Sequence, residues 1–248
     1  MSDRHIFRFY GSDTNSFLQG LVTNDVNKLE QGLVYAALLT PQGKYMADFF
    51  LMADGDAILL DADATQADFL RTKFNMYKLR ANVVIEDTHL YMHRGLGKPP
   101  NDGYADPRHP ELGWRAYRDV PQNDNSIDWT ALRVANLIPK TGLELTTDTF
   151  ILEACFEAIN GVDFRKGCYV GQEVTARMKH KTKLRKGLAQ VSVFGDAEPG
   201  TEILTDGKSV GRLLSRSKDQ AIAYLRFDRA TKPMQAGDAT IVWSGQEN

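Results

Sequence analysis

Apolar and polar residues alternate through "HIFRFYG" (residues 5–11), and a strand-like pattern returns in "LVYAALLT" (33–40), "KYMADFFLMAD" (44–54) and "AILLDAD" (57–63). A period of two sends successive side chains to opposite faces, so each stretch predicts a strand. The turn residues of "PQGK" (41–44) and the pair Asp54-Gly55 predict two tight hairpins between them. In "TQADFLRTKFNMYKLR" (65–80) the spacing changes: Ala67, Leu70, Phe74 and Tyr77 recur at helical intervals, with Thr65 and Asp68 resembling a capping box. Ser12 or Asp13 is predicted to cap a shorter helix in "TNSFLQGL". "ANVVIED" and "HLYMH" return to strand, which makes residues 44–120 an α+β module.

"LGKPPNDGYADPRHPELGWR" (96–115) is dense in Pro, Gly and Asp and predicts a loop. Ser126 or Asp128 opens a predicted helix over "WTALRVANL" that Pro139 closes, and "FILEACFEA" (150–158) predicts another. After Lys183 the segments "LAQVSVF", "EILTDG", "SVGRLLSR", "QAIAYLRF" and "ATIVWSG" are short and turn-separated. They predict a small antiparallel barrel or sandwich.

At 248 residues the chain is long for one core and favours two or three modules. Its net charge of -2 gives no global attraction to nucleic acid or membrane. No stretch approaches the roughly 20 apolar residues of a membrane span, and no secretory h-region opens the chain, so the expected location is cytoplasmic. The two cysteines, Cys155 and Cys168, lack C-x-x-C spacing and exclude a disulfide framework or closed zinc site.

Cys168 follows Arg165 and Lys166, stands between Gly167 and Gly171, and precedes the predicted helix "GQEVTARMKHK". Cations and a helix start favour thiolate, and the glycines permit close approach or positive φ. A buried, inert cysteine beside a turn is the other reading, and spacing leaves both open. Cys155, in an apolar helical neighbourhood, reads as core. His89 and His93 are four apart but lie in a predicted strand, where packing or solvent explains them. The run Arg177, Lys179, His180, Lys181, Lys183, Arg185, Lys186 suits a polyanion or a solvated linker face.

The string "KGCYVGQEVTAR" (166–177) resembles the signature of the YgfZ family, folate-binding proteins related in fold to the aminomethyltransferase (T-protein) of glycine cleavage, whose mitochondrial member is an iron-sulfur cluster assembly factor. "GSDTNSFLQGLVTNDV", "LLTPQGKYMADFF" and "DPRHPELGWR" resemble further blocks, the last typical of the mitochondrial-type branch. The resemblance implies an α+β fold of three modules: a discontinuous first domain (1–43 plus 121–182), a ferredoxin-like insertion (44–120) and a C-terminal antiparallel β-barrel (183–248). It places the functional thiolate on Cys168, as a ligand to a shared cluster or as a nucleophile or redox group, and its electrostatic partner on Lys166.

A folate pocket would draw a carboxylate from Asp48, polar groups from Asn24, Gln172 and Glu173, stacking from Tyr169, and cations for the glutamate tail from Arg80 or Arg177. The implied cofactors are tetrahydrofolate or a derivative and a transient shared iron-sulfur cluster. The implied partners are reduced folate and an A-type iron-sulfur carrier or client enzymes, with neither membrane nor nucleic acid expected. The rival readings are a tetrahydrofolate-dependent aminomethyltransferase and an RNA-binding module. The transferases pair two adjacent acids where this chain has Ala47 beside Asp48, which argues against aminomethyl transfer.

Overall fold

The structure is a computed structural model that describes residues 3–123, 126–181, 184–230 and 233–245. Five strands, β1 (Arg4–Tyr10), β2 (Val34–Leu39), β3 (Tyr45–Asp54), β4 (Ala57–Asp63) and β5 (Val84–Asp87), form an antiparallel sheet in the order β2-β3-β4-β1-β5. Alternation sends Phe7, Phe9, Phe49, Leu51, Ile58 and Leu60 to one face. Helices α1 (Thr14–Gln19) and α2 (Ala67–Lys78) cover that face with Leu18, Leu70 and Phe74, and Phe74 meets Phe9 edge-on at 5.1 Å.

The other face carries Tyr35, Asp48, Phe50 and Asp61, all buried. A three-stranded sheet in the order β6-β8-β7 supplies its cover, from β6 (Tyr91–Gly95), β7 (Gly103–Ala105) and β8 (Trp114–Arg118). The predicted loop 96–115 therefore holds β7 and the start of β8. Both are short, and cross-strand pairing with β6 and with each other stabilises them more than local propensity does.

Charge organises this cover. Asp61, 1% exposed, accepts hydrogen bonds from Arg4 at 2.6 Å, Arg115 at 3.1 Å and the Tyr117 hydroxyl at 3.0 Å. Asp106 in turn binds Arg108 at 2.8 Å and Arg115 at 3.0 Å. Burial opposes ionisation of Asp106, but the two guanidiniums outweigh it and hold the carboxyl far below its usual range. The Arg115, Arg108 and Arg4 guanidinium carbons lie 3.8, 4.8 and 5.8 Å from the centre of the Phe50 ring.

Two compact units divide the chain: Met1–Asp124 with Phe156–Val174, and Asn125–Cys155 with Thr175–Asn248. The cut expected at 43/44 falls inside the β2-β3 hairpin, whose register pairs Val34 with Leu51 and Leu39 with Tyr45. Residues 1–43 supply β1 and β2 to the same sheet as β3 and β4, so backbone pairing unites two stretches that the pattern separated.

In the second unit Asp128 caps α3 (Trp129–Ala135) by accepting from the Ala131 amide at 2.9 Å. Six strands, β9 (Lys186–Phe194), β10 (Glu202–Thr205), β11 (Lys208–Ser217), β12 (Gln220–Arg226), β13 (Met234–Ala236) and β14 (Ala239–Val242), close into a barrel. Closure leaves no unpaired sheet edge, and the interior packs on Ile203, Leu213, Leu225, Met234 and Ile241. Buried Glu144 accepts from Arg133 and from the Lys140 and Ser215 amides, and so ties α3 to β11.

Other local expectations change in detail. Asp13 precedes α1, but its side chain accepts from the Asn82 amide instead of capping. The Thr65/Asp68 box is replaced by Asp63, which accepts from both the amide and hydroxyl of Thr65. "FILEACFEA" forms successive turns, with Cys155 at φ 62°, where an α-helix cannot continue.

Replacing Asp61 with Asn leaves Arg4 and Arg115 buried without their shared counter-charge. Denaturant unfolding is expected to show a loss of about 3–5 kcal/mol.

Candidate functional site

The segment Phe156–Val174 returns to the first unit from far along the chain. The Asp163 amide donates to the Thr23 carbonyl at 3.0 Å, and the Asp163 carboxylate accepts from Lys28 at 2.7 Å and from the Arg165 amide at 2.7 Å. Burial raises the Asp163 carboxyl, but the Lys28 and Arg165 hydrogen bonds outweigh it and hold the group below the usual range.

Lys166 points inward and is buried. Its Nζ donates to the carbonyls of Gln19 at 2.7 Å and Val22 at 2.6 Å, the first of which ends α1. It also stands 5.2 Å from the centre of the buried Tyr169 ring. Burial pushes the ammonium down to about 8, against the pull of Asp25 and Asp163. Between these inward residues, Gly167 and Cys168 are exposed.

Gly171, at φ 85°, closes the loop against the β2-β3 turn. A Cβ there would lie 2.6 Å from the Thr40 carbonyl oxygen and 3.2 Å from the Gly43 Cα. Gly43 is at φ 75° and would clash with Val174 at 2.9 Å if it carried a Cβ. The glycines of two separate sequence blocks thus serve one close contact. Gly167 is different: a Cβ there meets open space, and its φ is not positive.

The inert reading fits Cys155 and not Cys168. Cys155 lies 3.9 Å from the Leu188 carbonyl, and burial pushes its thiol up to about 11, which keeps it protonated at neutral pH. Cys168 is four residues ahead of helix α4 (Gln172–Lys181), with Tyr169 to Gly171 between. Lys166, two residues from the cysteine, directs its ammonium to backbone carbonyls of the protein interior.

The expected folate residues are spread over several elements of the fold. Asn24 donates to the Tyr35 and Asn160 carbonyls and accepts from the Asp25 amide and Lys28, which uses both donors and both acceptor positions of a carboxamide. Asp48, 6% exposed, accepts from the Tyr45 hydroxyl at 2.6 Å on one oxygen and the Tyr35 hydroxyl at 2.9 Å on the other. Arg108 lies over the Tyr35 ring at 5.4 Å. Arg80 is exposed just beyond α2, which packs on the sheet face opposite Asp48. Tyr169 is covered on one side by Lys166. Gln172 is half-buried, and Glu173 and Arg177 are exposed on α4. Asn24 and Asp48 are thus both engaged in hydrogen bonds that hold the fold together.

Of the remaining candidates, His93 is buried, with Nε2 2.6 Å from the Val120 carbonyl, while His89 is exposed. Among the described residues no group of three or more His, Cys, Asp or Glu is placed to hold a metal ion. In the cation run Arg177, Lys179, His180, Arg185 and Lys186 are exposed, whereas Lys183 and the Lys181 side chain fall outside the described residues. Among the described residues no helix is long and apolar enough to cross a membrane. Sequence reading missed Tyr35, Tyr45, Asp163 and Arg108. Only Arg108 carried a signal, through its place in the "DPRHPELGWR" block.

Comparison with known proteins adds a lineage to this geometry. Residues 185–247 match the model of the CAF17 C-terminal beta-barrel domain. The chain is 32% identical to a Mycosarcoma maydis protein named "Iron-sulfur cluster assembly factor IBA57 homolog, mitochondrial", over 77% of this chain and 56% of that one. It is 26% identical to the mouse IBA57, over 94% and 78%. The homologues of this chain are IBA57 iron-sulfur cluster assembly factors.

The chain spans little more than half the length of the fungal relative. Its fold matches the glycine cleavage system aminomethyltransferase T of Bartonella henselae at a TM-score of 0.76 and 14% identity, covering 99% of this chain and 84% of that one. The expected aminomethyltransferase-like α+β fold with a C-terminal barrel is therefore the observed one. The YgfZ resemblance narrows to this fold and to homologues named for iron-sulfur assembly. The cytoplasmic expectation is overturned, since these relatives are named mitochondrial.

Two measurements test the site's chemistry. Between about pH 8 and 10.5 the unfolded chain holds a proton at Lys166 that the folded chain has released, so stability rises with pH across that window. Lys166→Met is expected to remove this slope in pH-dependent denaturation. Asp48→Asn is expected to leave a calorimetric tetrahydrofolate titration as in wild type while lowering stability by about 1.5–3 kcal/mol. A titration that depends on Asp48 would show instead that its tyrosine partners release it.

Proposed function

We propose that this chain serves in the assembly or repair of iron-sulfur proteins and that Cys168 is its working thiol. The observation that carries the reading is the placement of Cys168, an exposed sulfur on a loop fastened to the protein on both sides. The homologues' names support the role. One thiolate does not hold a cluster, so the remaining ligands come from a carrier or client protein that docks against this loop.

In that step Cys168 gives up its proton to solvent or carrier and forms an iron-sulfur bond as a carrier ligand leaves the same iron. Oxidation states are unchanged. The cluster is cargo, and the protein supplies one exchangeable ligand and the surface that steers it. Half-buried Cys155, whose thiol stays protonated, takes no part. Nothing in the geometry favours aminomethyl transfer, because the one acid of the glycine-turn block is enclosed by two tyrosines.

The test is complementation of a strain whose [4Fe-4S] enzymes fail. Cys168→Ala is expected to lose rescue at wild-type expression, and Cys155→Ala to retain it. Full rescue by Cys168→Ala would overturn the role of the thiol.

A further inference from the structure

The chain around Cys168 alternates in a way the thiol itself does not explain. Residue 166 turns in, residues 167 and 168 turn out, and residue 169 turns in. The two inward side chains meet beneath the exposed pair, with the Lys166 ammonium 5.2 Å from the Tyr169 ring centre. That ammonium is anchored on the carbonyls of Gln19 and Val22, distant by 147 and 144 residues in sequence. An ammonium at a helix end satisfies carbonyls left without a partner by the helix and interacts favourably with their dipoles. Burial of the charge is costly, and Asp25 and Asp163 are the carboxylates that favour it there.

We infer that Lys166 and Tyr169 form a clamp under Cys168, with Lys166 a positioning residue that fixes the direction in which the sulfur is presented. This rests on the reading of Cys168 as the working thiol and assigns Lys166 a task other than activating it. The lysine acts by locking the backbone on one side of the exposed pair. Gly171, pressed on the Thr40 carbonyl, locks the other. With both ends fixed the sulfur samples few directions, which lowers the entropy lost when it joins a cluster on a docked carrier. Direct activation would place the ammonium beside the sulfur, whereas here it faces the carbonyls of residues 19 and 22.

The clamp is tested with a nitroxide label attached through a disulfide to Cys168 in a Cys155→Ser background, read by electron paramagnetic resonance. Lys166→Met keeps the length of the side chain and removes its donors. It is expected to shorten the label's rotational correlation time at least twofold and to speed amide exchange at residues 167–169 by tenfold or more. Lys166→Arg, which retains a cation with donors, is expected to fall between Met and wild type. Spectra and exchange unchanged in Lys166→Met would overturn the clamp. If Lys166→Met loses its cooperative melt, Tyr169→Leu removes the ring facing the ammonium and is expected to free the label in the same way, and an unchanged spectrum there is equally fatal.

Complementation separates this inference from the reading beneath it. A mobile label in Lys166→Met together with full rescue overturns the positioning role. Rescue by Cys168→Ala overturns the thiol reading, while the label data still report whether the clamp exists.

Discussion

A lysine ammonium taken out of water needs oxygen around it, and Lys166 finds that oxygen on carbonyls that the chain laid down at residues 19 and 22. The demand joins the middle of the sequence to its beginning. It brings the loop 163–171 back onto the first sheet after the chain has entered its second unit. Asp163 and Lys28 reinforce the return, and the close approach of Gly171 to the β2-β3 turn completes it. The exposed cysteine sits on this arrangement, next to the buried anchors Lys166 and Tyr169.

The same economy of burial explains the sheet face around Asp48 and Asp61. Each carboxylate is enclosed, and each is matched by hydroxyls or guanidiniums that would be costly to leave without it. Asp48 is held between two tyrosine hydroxyls. The likeness to an aminomethyltransferase, at 14% identity, is one of fold. On this backbone the "DPRHPELGWR" segment places Arg108 and Arg115 around Phe50, and Arg108 also lies over Tyr35.

The two cysteines show how far environment divides one chemistry. Cys155 is held against the second unit's own backbone, and its sulfur stays protonated because the surrounding protein cannot solvate a thiolate. Cys168 is open to water and to any protein that docks. Access to water is what separates the two sulfurs.

The sequence by itself determined the strands whose side chains alternate, the helix over 67–78, the hairpin turns at Gly43 and Gly55, and the short antiparallel strands after Lys183, because each is written in local periodicity and turn chemistry, whereas their closure into a barrel rather than a sandwich is tertiary. It also pointed to Cys168 through a compact motif. Tertiary structure alone decided which segments share a sheet, since the pairing of β1 with β4 joins residues far apart along the chain. It likewise decided that Asn24 is saturated, that Asp48 is held by two tyrosine hydroxyls, that Arg80 lies across the sheet from Asp48, and that Lys166 turns inward to the carbonyls of residues 19 and 22. Hydrogen-bond capacity and burial are properties of the space around a side chain, and that space is filled by residues that no local pattern names.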